Sequence, residues 1–157
     1  MPLIPILAWI LQAIPECMAT ASLSMSLSTR NLPWDRIWKI GLSQAVTTYL
    51  VRLLDFTPGV HVIVLAATLG VFCIHFGKVE MKRALVFSAI TMAILVLGEF
   101  FSVYTLTKIG LFNINQMDEN IINRIIFGYP HTILLFLIAI MIQKKQINLS
   151  FIIKKEM

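Results

Sequence analysis

The sequence predicts an all-α membrane protein, a bundle of five transmembrane helices with its N-terminus outside the cell and its C-terminus in the cytoplasm. Three observations lead to this fold class. The 157-residue chain is 58% hydrophobic and only 13% charged, whereas a soluble domain is nearer a quarter charged because its surface must stay wet. Apolar runs of about 20 residues, the length that crosses a bilayer, recur along the chain. The basic residues fall mainly in every second loop, as the positive-inside rule requires.

The apolar runs occupy nearly the whole chain and leave no room for a separate soluble domain. They cover residues 3–27, 37–54, 60–76, 84–107 and 125–143, and a tail follows at 144–157. No Lys or Arg precedes the first run, as one would in a cleaved secretory signal, so we expect a permanent helix there. The turn-forming Thr57-Pro58-Gly59 separates the short second and third runs. The tail alternates apolar residues with lysines, which predicts contact with anionic lipids of the inner leaflet.

The distribution of basic residues predicts the orientation of the bundle. Ten lie on one side: Arg30, Arg36, Lys39, Lys78, Lys82, Arg83, Lys144, Lys145, Lys154 and Lys155. The opposite side has three: Arg52, Lys108 and Arg124. Cytoplasmic loops are enriched in Lys and Arg. We therefore expect a multi-pass protein of a bacterial inner membrane, with membrane lipids as its surroundings.

Composition and spacing argue against several functional classes. The net charge of +5 comes from residues that flank apolar runs, not from a basic stripe with interleaved aromatics, so we expect no nucleic-acid partner. Cys17 and Cys73 fall inside apolar runs and show no disulfide or metal-ligand spacing. We find no phosphate-binding glycine loop and no catalytic triad, and we expect no cofactor, no metal and no enzymatic activity.

The predicted topology assigns a depth to each polar residue inside the runs. Gln12 and Glu16 are four residues apart, so they share one face of the first helix. Arg52 ends the second helix on the outer side. All ionisable residues inside the runs, except those at the inner ends, are predicted to lie at or above the mid-plane. The candidate ligand-binding residues of this outer layer are Gln12, Glu16, Arg52, His61, Glu99 and His131.

The outer layer supports two interpretations. A charge at the centre of a transmembrane helix costs roughly 2.5 to 3.5 kcal/mol on insertion scales, so it faces protein or a cavity and needs a partner. Arg52 paired with Glu16 or Glu99, with histidines at the rim, would form an outward-facing polar pocket. The same residues could instead be a buried ion pair that only fixes the order of the helices. The sequence leaves both open.

Several short motifs resemble a known family. They are Ile14-Pro15-Glu16, Gly41-Leu42-Ser43-Gln44-Ala45 with Tyr49-Leu50-Val51-Arg52, and Pro58-Gly59-Val60-His61. Together they resemble small five-helix membrane proteins of Gram-positive bacteria that are similar to the membrane-embedded sensor domains of quorum-sensing histidine kinases of the accessory-gene-regulator type. In such kinases a cytoplasmic dimerisation and ATP-binding portion follows the last helix, and we expect no such portion here. The resemblance therefore implies a receptor-like module that acts through a separate partner.

Two functional hypotheses follow. The first is a non-enzymatic sensory or regulatory module that binds a small ligand or peptide in the outer pocket and signals through a histidine kinase, another membrane protein or a second copy of itself. The second is a small transporter, or a membrane subunit of one, in which Glu16 or Glu99 carries a proton or cation. A lipid-modifying or proteolytic enzyme ranks last because no nucleophile is paired with a base.

Overall fold

Five α-helices make up the structure, a computed structural model that describes residues 9–29, 33–54, 58–109 and 121–144. A π-helical turn at Trp9–Ala13 leads into α1 (Ile14–Ser28). The others are α2 (Trp34–Leu53), α3 (Pro58–His75), α4 (Met81–Lys108) and α5 (Ile121–Lys144). No strand occurs in the described ranges, so the prediction of an all-α fold is confirmed.

The helix bounds follow local sequence signals. Helix α2 begins after Pro33, and α3 begins at Pro58, where a missing N–H is harmless because the first N–H groups of a helix have no intrahelical partner. Each of the five predicted runs overlaps one helix. Residues 1–8, Asp55 to Thr57 and 145–157 lie outside the described ranges, and with them the start of the first run, part of the predicted turn and nearly all of the tail.

Helix α1 forms the centre of the bundle. Its residues from Cys17 to Ser28 are all buried, and it packs against each of the other four helices. Helices α2, α3, α4 and α5 contact one another in that order around it. Small Ala, Ser and Thr side chains along α1 allow neighbouring backbones to approach closely.

Four of the five hydroxyl groups of α1 are satisfied inside the helix itself, and the fifth, on Ser24, lies 3.4 Å from the Cys73 thiol of α3. Ser22 donates to the Met18 carbonyl at 2.7 Å, and Ser28 donates to the Ser24 carbonyl at 2.7 Å. Thr20 donates to the Cys17 carbonyl at 3.0 Å. Such bonds to the preceding turn let a serine-rich helix be buried without unpaired donors.

Length and apolarity single out α4. Among the described residues, Met81–Lys108 is the one helix long and apolar enough to cross a membrane. Two other segments, Gly59–His75 and Gly128–Lys144, are apolar but shorter. Large apolar side chains are also exposed on the outward faces of the bundle, among them Leu97 at 67%, Phe100 at 72% and Ile63 at 70%. These features support membrane association.

Candidate functional site

A polar cavity of about 100 Å³ lies among α1, α2, α3 and α4. Four of the six predicted site residues line it, one from each of these helices: Glu16, Arg52, His61 and Glu99. Its remaining polar lining consists of Cys17, Thr20, Gln44 and Thr48. The apolar part of the wall is formed by Ala13, Val62, Leu65, Met92, Leu95 and Val96.

The π-helical turn positions Glu16 at the start of α1. Pro15 has no N–H, so the Leu11 carbonyl four residues earlier loses its regular helical partner. The Tyr129 hydroxyl of α5 donates to that carbonyl at 3.1 Å. The irregular backbone is thereby tied to α5, and Glu16 follows it directly, with its side chain 18% exposed.

One face of α2 supplies the opposite wall. Gln44, Thr48 and Arg52 are four residues apart and therefore lie on one helical face. Gln44 is 1% exposed; its amide donates to the Leu65 carbonyl at 3.0 Å and its oxygen accepts from Thr68 at 3.3 Å. These bonds fasten α2 to α3 and hold the wall rigid.

Arg52 lies on the exposed rim of the cavity, close to the end of α2. Its charge attracts the Glu16 carboxylate, while Glu99 repels it. Among the described residues, however, no carboxylate lies within ion-pair distance of Arg52. The expected ion pair of Arg52 with Glu16 or Glu99 is therefore not formed, although all three side chains line the same cavity.

His61 and Glu99 complete the ionisable lining. His61 is half-buried, and its Nε2 is buried without a hydrogen-bond partner among the described residues. Glu99 is exposed. A buried imidazole nitrogen without a partner costs free energy, so this wall of the cavity favours a guest that offers a hydrogen bond.

The two other predicted residues, Gln12 and His131, lie beside the cavity and not on its wall. The Gln12 side chain packs over Gly128 of α5, where an added Cβ would be 2.8 Å from the Gln12 Cδ. His131 is 3% exposed, and its Nε2 is 4.0 Å from the Glu16 Oε2. Glu16 is thus the link between this α5 contact and the cavity.

Sequence reasoning missed the deeper lining of the cavity. Cys17, Thr20, Gln44 and Thr48 line it but were not among the six candidate residues. The available signal was the spacing of Gln44, Thr48 and Arg52. Cys17 lies 3.7 Å from the Thr48 hydroxyl, and this contact joins α1 to α2 below the charged rim.

The cavity combines ionisable and apolar side chains in a small volume. Two carboxylates, a guanidinium and an imidazole line a small volume whose wall is partly apolar, an arrangement that suits a small polar guest. Within the described ranges, no group of three His, Cys, Asp or Glu residues could hold a metal ion. Searches with the chain found no matching family model, curated protein or solved structure.

Proposed function

We propose that this chain is a five-span protein of a bacterial inner membrane, with its N-terminus outside and its C-terminus in the cytoplasm. The apolar outward faces of the helices and the asymmetry of Lys and Arg support this arrangement. Trp34 and Trp38, each 53% exposed near the start of α2, fit the headgroup layer of the inner leaflet. In this orientation the cavity opens toward the outside.

Its function is non-enzymatic: it is a sensory or regulatory module that binds a small ligand in the outward cavity. The observation that carries this proposal is the convergence of Glu16, Arg52 and Glu99 on one cavity without an ion pair between them. An ion pair that only locked helix order would bring the charges into contact. Charges kept apart around a cavity are arranged for a guest.

The size of the cavity limits the ligand. A volume of about 100 Å³ has room for a few waters or for one small polar group. A carboxylate-sized group fits, whereas only a terminus or a side chain of a peptide would enter. Arg52 is the residue that attracts such an anionic group.

The signal passes through the helices that line the cavity. A guest that changes the spacing of α2 and α4 alters their positions at the cytoplasmic end, where the basic loops lie. There Arg36 donates to the Gly77 carbonyl at 3.2 Å and connects the start of α2 with the end of α3. The partner is a separate histidine kinase or other membrane protein, or a second copy of this chain, as the resemblance implies.

Acetate, the smallest stable carboxylate ligand, tests the role of Arg52. We expect acetate to raise the thermal stability of the purified full chain in detergent above that in chloride at equal ionic strength, because a ligand that binds only the folded state stabilises it. Arg52→Ala should abolish this increase. The matched control is Lys108→Ala, which removes an exposed cation at the outer end of α4.

Two results of this experiment would contradict the proposal in different ways. Stabilisation that survives in Arg52→Ala, or that disappears equally in Lys108→Ala, would remove Arg52 from the binding site. No stabilisation of the wild type by acetate up to high millimolar concentration would remove carboxylates as the ligand class.

Transport is the second candidate function. The observation in its favour is that polar lining continues below the carboxylates, through Thr20, Gln44 and Thr48. Glu16 or Glu99 would then carry a proton or cation. Proton flux into proteoliposomes, followed with an enclosed pH-sensitive dye, should vanish in Glu99→Gln if this is correct. Acetate binding without flux in the wild type would favour the sensory module.

A further inference from the structure

His131 is the most deeply buried ionisable residue in contact with the site. It is 3% exposed, and neither of its ring nitrogens has a hydrogen-bond partner among the described residues. A neutral imidazole carries one donor and one acceptor, and leaving such groups unpaired in a low-dielectric interior is costly. Because neither ring nitrogen is hydrogen-bonded within the described part of the chain, His131 can accept a new partner, such as a proton or a hydrogen-bonding group.

Ionisable groups of four helices surround His131 and its neighbour Glu16. On α1, the Glu16 Oε2 lies 4.0 Å from the His131 Nε2. On α4, an added Cβ at Gly98 would be 3.5 Å from the His131 Cβ, and the charge of the adjacent Glu99 acts on the imidazole. Arg52 of α2 and His61 of α3 face Glu16 across the cavity.

The distance between Glu16 and His131 is slightly longer than a hydrogen bond. A hydrogen bond between a ring nitrogen and a carboxylate oxygen needs about 2.7 to 2.9 Å when one partner is charged. A shift of about 1 Å in the partly exposed Glu16 side chain would close the gap. Because Glu16 also lines the cavity, it can receive a proton there and reach His131 on its other side.

We infer that Glu16 and His131 form a proton-binding site that holds one exchangeable proton between them. The proton enters from water in the cavity onto a Glu16 oxygen, and it is then shared with the His131 Nε2; no other bond forms or breaks. The inference deepens the proposed function, since it rests on the same cavity. It assigns His131 a role that does not require contact with the ligand.

A proton held by Glu16 and His131 would offset the negative charge of a bound anion. With both carboxylates ionised and Arg52 charged, the cavity holds one excess negative charge, and a bound carboxylate would add another. Uptake of one proton by Glu16 and His131 offsets the added charge, because an uncompensated charge in a membrane interior is costly. Anion binding and proton binding would then favour each other, and this coupling is reciprocal.

Infrared difference spectra between an acidic and an alkaline sample test the pair without any ligand. We expect the purified full chain to show, among its protonated-carboxyl C=O bands, one component that is absent in Glu16→Gln and shifted in His131→Gln. Glu80→Gln is the matched control, because Glu80 pairs with Arg83 at 3.3 Å on the surface at the start of α4. This variant should retain the band at its original frequency.

A second measurement follows the histidine signals of the wild type, and variants serve only to assign those signals. In a sample with 15N-labelled histidine, the His131 resonance should change over the same pH step as the carboxyl band. The signals of His61 and His75 are assigned with His61→Gln and His75→Gln. A carboxyl band unaffected by Glu16→Gln or His131→Gln, or a His131 resonance that stays constant, overturns the inference. A positive result combined with no acetate binding would leave the pair intact and refute only the carboxylate ligand.

Discussion

Glu16 has two different neighbours, the cavity with Arg52 on one side and the buried His131 on the other. Its position follows from Pro15 and the π-helical turn before it, since irregular turns of this kind often re-aim side chains at functional sites. A carboxylate in an ordinary ion pair is held by one partner, whereas Glu16 has a possible partner on each side. At 18% exposure Glu16 retains enough freedom to respond to either.

At Gly41, α2 approaches Met18 of α1 closely. A Cβ added there would collide with the Met18 side chain and lie 3.2 Å from the Met18 Cα. We expect Gly41→Ala to lower the free energy of unfolding by about 1 to 3 kcal/mol, the usual cost of overpacking. Unfolding of the purified protein in mixed SDS micelles measures this value.

Gly59 provides the control for this substitution. It lies in the first turn of α3, and an added Cβ would meet nothing within 4 Å. Gly59→Ala should therefore leave the stability unchanged or raise it by about 0.4 to 1 kcal/mol, because alanine restricts the unfolded chain. Equal losses in both variants would show that contact with Met18 does not govern the effect.

At the scale of elements, α1 is notable for being both polar and central. Ordinary amphipathic reasoning assigns a serine-rich stretch to a surface, yet here every residue from Cys17 to Ser28 is buried. Local hydroxyl bonds and small side chains explain this placement. The remaining irregularity, the turn at Trp9–Ala13, is fastened from outside by α2 and α5: Trp9 donates to the Ala45 carbonyl at 3.0 Å, and Tyr129 donates to that of Leu11.

The bond from Tyr129 should contribute measurably to stability. Tyr129→Phe removes the hydroxyl that satisfies the Leu11 carbonyl, and we expect a loss of about 0.5 to 1.5 kcal/mol in the free energy of unfolding. Tyr104→Phe serves as the comparison, since the Tyr104 hydroxyl meets only the Lys108 amine at 3.4 Å on the surface. Its effect should stay within about 0.5 kcal/mol. A larger loss from the Tyr104 variant would contradict this account.

At the scale of the whole molecule, the proposed topology separates the two ends of the bundle. We expect Asn115→Cys to react with a membrane-impermeant maleimide on intact cells, and Asn148→Cys to react only after permeabilisation, because the basic loops remain in the cytoplasm. The native Cys17 and Cys73 are 6% and 0% exposed, so they add little background. Labelling of the Asn148→Cys variant on intact cells would contradict the proposed topology.

The helices were predictable because they depend on local information. Apolar runs separated by signals such as Pro58-Gly59 predict helices whatever tertiary contacts these helices make. The observed helices overlap the predicted runs. The sequence alone also predicted that Glu16, Arg52, His61 and Glu99 share a layer, since depth follows from the position along each helix. All four line the cavity.

Rotation about each helix axis and the order of packing were decided only in three dimensions. The central position of α1, the distance that keeps Arg52 from both carboxylates, and the contact between Glu16 and His131 all depend on how five helices pack together. Length and hydropathy determine that a segment is helical and where each residue lies along its helix. Which side chains meet is a property of close packing between segments far apart in the chain, and no local pattern encodes it.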